Sequence, residues 1–194
     1  MDPNESARDA ILSALPRLRG YAVSLTGSRE RGDDLVQEAL LRALTKLSSL
    51  HADTNTLAWL INILRNQFVP EHRKLRPEVE HAELRHSSRS ICHPAQDSWM
   101  ADQNFRKALA RLPLDQREAI ILVEGSRFSY EQAAGICGCP AGMIKSRVNE
   151  ARRALARALS NEDTTSPGRL ERGVTRRISM AVGTIPDGTA ASQH

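Results

Sequence analysis

The sequence predicts an all-α chain made of two small helical domains joined by a flexible linker. Three observations carry that prediction. Aromatic residues make up only 4% of the 194 residues, and Ala, Leu, Arg and Glu, which favour helix, dominate where β-branched residues would mark strands. Apolar residues recur at intervals of three and four in two separate blocks, 8–76 and 101–160. Between them, residues 77–100 lose that period and gather Glu, His, Ser and Pro, as linkers do. The remaining residues, 161–194, are rich in Thr, Ser, Gly and Pro and carry little core material, so they are expected to be disordered apart from one transient helical turn.

The first block opens with a helix over residues 6–25, with Ser6 as the expected N-cap and Ile11, Leu12, Leu15, Leu18, Tyr21, Ala22 and Leu25 on one side. Gly27 and Gly32 are expected to bracket a turn. A second helix follows, its apolar stripe made of Leu35, Val36, Ala39, Leu40, Ala43, Leu44 and Leu47, with Asp33, Asp34, Gln37, Glu38, Arg42 and Lys46 off the stripe. SSLHADTNT reads as a loop. Leu57, Leu60, Ile61, Leu64 and Phe68 then restart the period, which Pro70 is expected to interrupt.

The second block begins with Phe105, Leu109 and Leu112, breaks at Pro113 and resumes through Ala119, Ile120, Ile121 and Val123. EGSRFS reads as a turn leading to Ser129, an N-cap with Gln132 three residues on, so YEQAAGI should be a short helix with a capping box. A CGCP turn follows. The last helix carries Ile144, Val148, Ala151, Leu155 and Leu159 at intervals of four, three, four and four.

Charge narrows the function. The net charge of +4 points only to some anionic partner. Its distribution says more, because residues 141–160 hold Lys145, Arg147, Arg152, Arg153 and Arg157 against the single acid Glu150, whereas the linker holds Glu78, Glu80, Glu83 and Asp97 against Arg85 and Arg89. No window reaches the roughly 18 consecutive apolar residues of a membrane span, and MDPNESARD lacks the basic-then-apolar order of an export signal. A cytoplasmic protein is expected, with no membrane partner.

Cys137 and Cys139 are one residue apart, not the two to four of zinc knuckles, and no ligand pair follows at a matching spacing. They read as small, partly buried turn residues, and no metal or cofactor is expected. Cys92 with His93 is an isolated pair in a polar stretch. A nucleophile elbow and a phosphate loop are both missing, so an enzyme has little support.

A short capped helix, a glycine-containing turn and a second helix form a helix-turn-helix, whose second helix enters the DNA major groove. The periodicity directs Lys145, Ser146, Asn149, Arg152 and Arg153 away from the apolar spine. Lys and Arg supply charge to phosphates, while Ser and Asn hydrogen-bond base edges. A solvated basic helix face would look similar taken alone. The capped short helix and tight turn before it favour the DNA reading.

These residues resemble a known family. FSYEQAAGICGCPAGMIKSRVNEARRAL is similar to the region-four helix-turn-helix of extracytoplasmic-function (ECF) sigma factors, whose usual form runs SYEEIAEI, a short turn, then P-x-G-T-[IV]-K-S-R. LTGSRERGDDLVQEALLRAL resembles the family's core-binding helix in region two, and TLAWLINILRNQFVPEHRK resembles its minus-10-reading segment. The resemblance covers residues 8–160 and is nearest to the alphaproteobacterial general-stress-response group.

It implies a protein that directs RNA polymerase core enzyme to stress-response promoters and initiates transcription. Asp33, Asp34, Leu35, Gln37, Glu38 and Leu41 would dock on the β′ clamp helices, with a second contact at the β flap. Leu50, Arg65, Asn66, Arg73 and Lys74 would serve the minus-10 element, with Asn66 helping to hold a flipped base. Lys145, Ser146, Arg147, Asn149, Glu150, Arg152 and Arg153 would serve the minus-35 element. Promoter DNA and an anti-sigma factor are the further partners implied. Trp59 is expected in the core rather than on DNA. Three positions depart from the family pattern: Leu50 stands where an aromatic is common, Met143 where Thr is usual, and Glu150 where many relatives carry Arg. The rival reading is a stand-alone helix-turn-helix regulator with an N-terminal dimerisation or sensor domain, which would bind a palindrome by itself.

Overall fold

The computed structural model describes residues 3–47, 50, 54–79, 103–160, 175–180 and 182. Among them no strand occurs, in keeping with the all-α expectation. Three helices form the first domain: α1 (Pro3–Thr26), α2 (Arg29–Thr45) and α3 (Thr56–Val79). Each packs on the other two, around Leu18, Tyr21, Leu25, Ala39, Leu60, Ile61 and Leu64. Burying that many full-sized apolar side chains, each contributing about 1.5–3 kcal/mol, holds the bundle together.

Several boundaries differ from expectation. Helix α1 starts at Pro3, so Ser6 lies inside it and does not cap it. The turn after α1 uses Gly27 alone, in the left-handed region at φ 71°, and Ser28 caps α2 by accepting from Arg31 N. Gly32 lies within α2 for a different reason: a Cβ there would meet the Val23 Cα at 2.8 Å, so its bareness lets α1 and α2 approach. Pro70 does not end α3, which runs on to Val79. Pro70 is exposed and follows the buried Phe68 and Val69, whose packing outweighs one lost backbone hydrogen bond. Leu44, placed on the core stripe by its spacing, is 55% exposed, because the buried side of α2 is the narrower strip Leu35, Val36, Ala39 and Ala43.

The second domain is built from α4 (Gln103–Arg111), α5 (Leu114–Ile120), a π-helical turn continuing α5 over Ile121–Gly125, α6 (Tyr130–Cys137) and α7 (Ala141–Ser160). Glu124 and Gly125, expected in a turn, belong to that π-helical segment. Helix α7 packs on α4, α5 and α6 through Ile144, Val148, Ala151 and Leu155, all with no exposed area. Most of the linker, 80–100, lies outside the described residues.

The two domains are packed against each other, with α1 on α4, α5 and the π-helical turn, and α3 on α6. Residues 175–180 form a further helix, whose Ile178, together with Val182, is fully buried. Within this helix Arg176 and Arg177 face solvent while Ile178 and Ser179 are buried. The rest of the tail lies outside the described residues.

Candidate nucleic-acid interface

The α6–α7 unit forms as its sequence requires. Ser129 Oγ accepts from Gln132 N at 3.2 Å, and Gln132 Oε1 accepts from Ser129 N at 2.9 Å, completing the capping box. Gly138 ends α6 in the left-handed conformation at φ 65°, and the amides of Gly138 and Cys139 both donate to Ala134 O. Cys137 is buried and Cys139 half-buried, both as free thiols in this turn, as the sequence reading expects. Pro140 O then accepts the first amides of α7, from Met143 and Ile144.

With its spine turned inward, α7 presents Met143, Lys145, Ser146, Glu150 and Arg153 to solvent. These share a surface with half-buried Asn149. Glu150 is held in place: its carboxylate accepts from Ser146 Oγ at 3.1 Å and from Gln116 Nε2 at 2.9 Å. The acid that departs from the family pattern thus fixes Ser146 on the same face and projects a negative group beside Lys145.

Two of the basic residues assigned to DNA have other work. Arg152 forms an ion pair with Glu124, a carboxylate only 8% exposed, so it neutralises a charge under the helix. Arg147 pairs with Asp115 at 3.3 Å and donates to Cys139 Sγ at 3.6 Å, tying α7 to α5 and to the preceding turn.

The minus-10 residues are divided too. Asn66 is exposed on α3, as base capture demands, and Leu50 is half-buried against the bundle core. The side chains of Arg73 and Lys74 lie outside the described residues. Arg65 is not turned toward solvent, so a phosphate contact does not hold in this arrangement: its Nε stands 2.6 Å from Glu118 Oε1 and its Nη2 donates to Cys137 O at 3.1 Å. Tyr21 Oη completes this seam, 3.2 Å from the same Glu118 oxygen. Burial, with Glu118 beside it, pushes the Cys137 thiol up to about 12 and raises the Tyr21 phenol well above its ordinary range.

Elsewhere on the seam, Arg117 donates to Leu25 O at 2.8 Å and Leu112 O at 3.0 Å, and also to Ala110 O, so one buried guanidinium closes the C-terminal ends of α1 and α4. Sequence reading missed Tyr21, Arg117, Glu118 and Glu124 as a group. The available signal was REAIILVE, where charged residues interrupt a run too apolar to be a surface.

On α2 the docking residues also separate. Asp34, Gln37, Glu38 and Leu41 are exposed, and Leu41, at 67%, lies beside Leu44 to give the helix an apolar ridge. Leu35 is buried in the bundle and Asp33 is held by Arg19 through two hydrogen bonds of 2.6 and 2.8 Å, so these two shape the helix more than its exposed face.

Comparison with known proteins places both domains. Residues 11–65 match the family described as the sigma2 domain of PhyR, and residues 102–155 match sigma-70 region 4. The chain is 51% identical over 159 residues to the ECF RNA polymerase sigma factor EcfG of Rhodopseudomonas palustris, covering 82% of this chain and 88% of that protein. It is 33% identical to the ECF sigma factor SigC of Mycobacterium tuberculosis, with coverages of 84% and 88%. Among solved structures, the sigma factor RpoE of Bartonella quintana, crystallised with the anti-sigma factor NepR, aligns at a TM-score of 0.68 and 44% identity over 80% of this chain and 98% of its own. The chain belongs to the ECF RNA polymerase sigma factors, in their alphaproteobacterial general-stress-response group.

Proposed function

We infer that this chain carries RNA polymerase core enzyme to stress-response promoters in the cytoplasm, acting by binding and not by catalysis. The observation that carries the reading is the α6–α7 unit, capped and glycine-turned, with a buried spine and an exposed face bearing Lys145, Ser146 and Arg153. Its neighbour in the same chain exposes the apolar ridge of Leu41 and Leu44 beside Asp34, Gln37 and Glu38, a surface suited to docking on a protein.

In this reading α2 grips the β′ clamp helices, α3 with Asn66 captures a minus-10 base, and α7 reads the minus-35 element. The second domain sits at the β flap and the 77–100 segment connects the two. Lys145 and Arg153 supply charge to phosphates, Asn149 donates to base edges, Ser146, whose proton goes to Glu150, can accept from them, and Glu150 can accept from a cytosine amino group. An anti-sigma protein resembling NepR is the matching inhibitor, supported by the 44% identity to its Bartonella partner.

The test is transcription in vitro with purified core polymerase and a stress promoter carrying both elements. A transcript that requires the chain and is lost on changing either element is expected. Autonomous binding to a palindrome, with no holoenzyme formed, would replace this reading with that of a helix-turn-helix regulator.

A further inference from the structure

The matched family segments end at residue 155, yet the chain continues and part of that continuation is packed. Ile178 of the tail helix and Val182, just beyond its end, have no exposed area, and Ser179 Oγ donates to Glu124 O at 3.0 Å. Their seat is made by two glycines from different domains. A Cβ on Gly20 of α1 would stand 2.2 Å from the Val182 carbonyl oxygen, and a Cβ on Gly125 of the π-helical turn would stand 2.4 Å from Val182 Cγ2 and 3.3 Å from Ile178 Cγ2. The tail therefore rests on both domains at once, across the line where they meet.

That line is also closed by polar contacts. Arg17 donates to Ser126 O at 2.5 Å, Arg117 donates to Leu25 O, and Arg65 and Tyr21 converge on Glu118. Closure holds Arg65 away from any phosphate, and the tail's seat at Glu124 adjoins the anchor of Arg152 on α7.

We propose that residues 175–180 with Val182 form a C-terminal latch, which seats in the Gly20–Gly125 groove, holds the two domains closed and opposes engagement of core polymerase. Its inhibitory part rests on the sigma-factor reading above. Any state in which the domains separate divides the groove, so the tail can bind well only to the closed form and shifts the population toward it.

The full-length chain tests this, with Cys92→Ser and Cys139→Ser leaving Cys137 as the sole thiol. Cys137, the last residue of α6, is buried where α3 meets α6, with Arg65 donating to its carbonyl, so its reaction with a thiol reagent reports opening without any polymerase. Ile178→Asp should speed labelling and tighten core binding, each by about tenfold. Gly20→Ala should do the same from the other side of the contact, although alanine by itself favours the α1 helix. Met180→Asp, on the exposed side, should change neither.

Unchanged labelling in both Ile178→Asp and Gly20→Ala overturns the latch. Faster labelling with unchanged core affinity overturns its inhibitory role. Faster labelling when no form of the chain binds core supports closure by the tail and sinks the sigma reading instead.

Discussion

Arg65 on α3 and Glu118 on α5 meet at 2.6 Å across the domain seam, with their side chains 19% and 4% exposed. Tyr21 adds a hydroxyl to the same carboxylate oxygen. A carboxylate buried this far is tolerable only while its partner stays in place. The two domains are thus joined through a residue that the sequence reading assigns to DNA.

Glu118→Gln keeps the shape but removes the charge, leaving the Arg65 guanidinium with neutral acceptors in place of a carboxylate. A loss of about 2 kcal/mol in unfolding free energy is expected from chemical denaturation. Arg65→Met with Glu118→Gln should cost less than the sum of the two single changes. Strict additivity would mean that the pair is not coupled.

Asp33 offers a pH test. Its hydrogen bonds from Arg19 hold its carboxyl below the ordinary 3.8. A depressed carboxylate stabilises the fold above the unfolded value and loses that contribution as pH falls through the folded value. The pair is exposed, so Asp33→Asn should lower stability by only about 0.5 kcal/mol at pH 7. Denaturation curves of the two proteins should converge as pH drops below 3.8, and a gap that persists in acid would assign the loss to something other than the ion pair.

The capping box, the CGCP turn and the α7 spine could be read from residue order because they are local: each depends on residues within a few positions of one another. What escaped was long-range. Leu44 obeys the helical period but falls beyond the edge of the surface α2 buries, and Pro70 breaks a local rule that packing of Phe68 and Val69 overrides. Arg65, Arg147 and Arg152 looked like phosphate ligands because nothing near them in sequence shows the carboxylates of Glu118, Asp115 and Glu124. The packing of Ile178 and Val182 escaped for the same reason. The buried Ile178 and Val182 make no core alone and acquire one only from Gly20 and Gly125, whose lack of a side chain is not legible as a seat.

Cys137 should be chemically quiet in the closed form. With burial pushing its thiol up to about 12, only about one molecule in ten thousand is ionised at pH 8. Iodoacetamide at that pH should modify half-buried Cys139 at least about tenfold faster, as peptide mass spectrometry would show, and denaturant should abolish the difference. The raised value also makes stability fall as pH climbs above the ordinary 9.0, where the unfolded thiol ionises and the folded one does not. Cys137→Ala should flatten that alkaline decline in melting temperature, and an unaltered decline would rule out Cys137 as its source.

Lys145 and Arg152 lie two turns apart on α7 and should fail in different ways. Lys145 is exposed, so Lys145→Ala should leave the melting temperature within about a degree, since surface substitutions of this kind stay within about 0.5 kcal/mol. Its cost should appear in holoenzyme binding to promoter DNA, with a slope of log affinity against log salt shallower by about one. Arg152→Ala strips the partner from a Glu124 carboxylate that is 8% exposed. That variant should lose about 3 kcal/mol of stability. Restoring the fold with Glu124→Gln in the same chain should return most of it, with promoter affinity following the recovered fold. If Arg152→Ala instead left stability intact and reduced the salt slope as Lys145→Ala does, Arg152 would be a phosphate ligand after all.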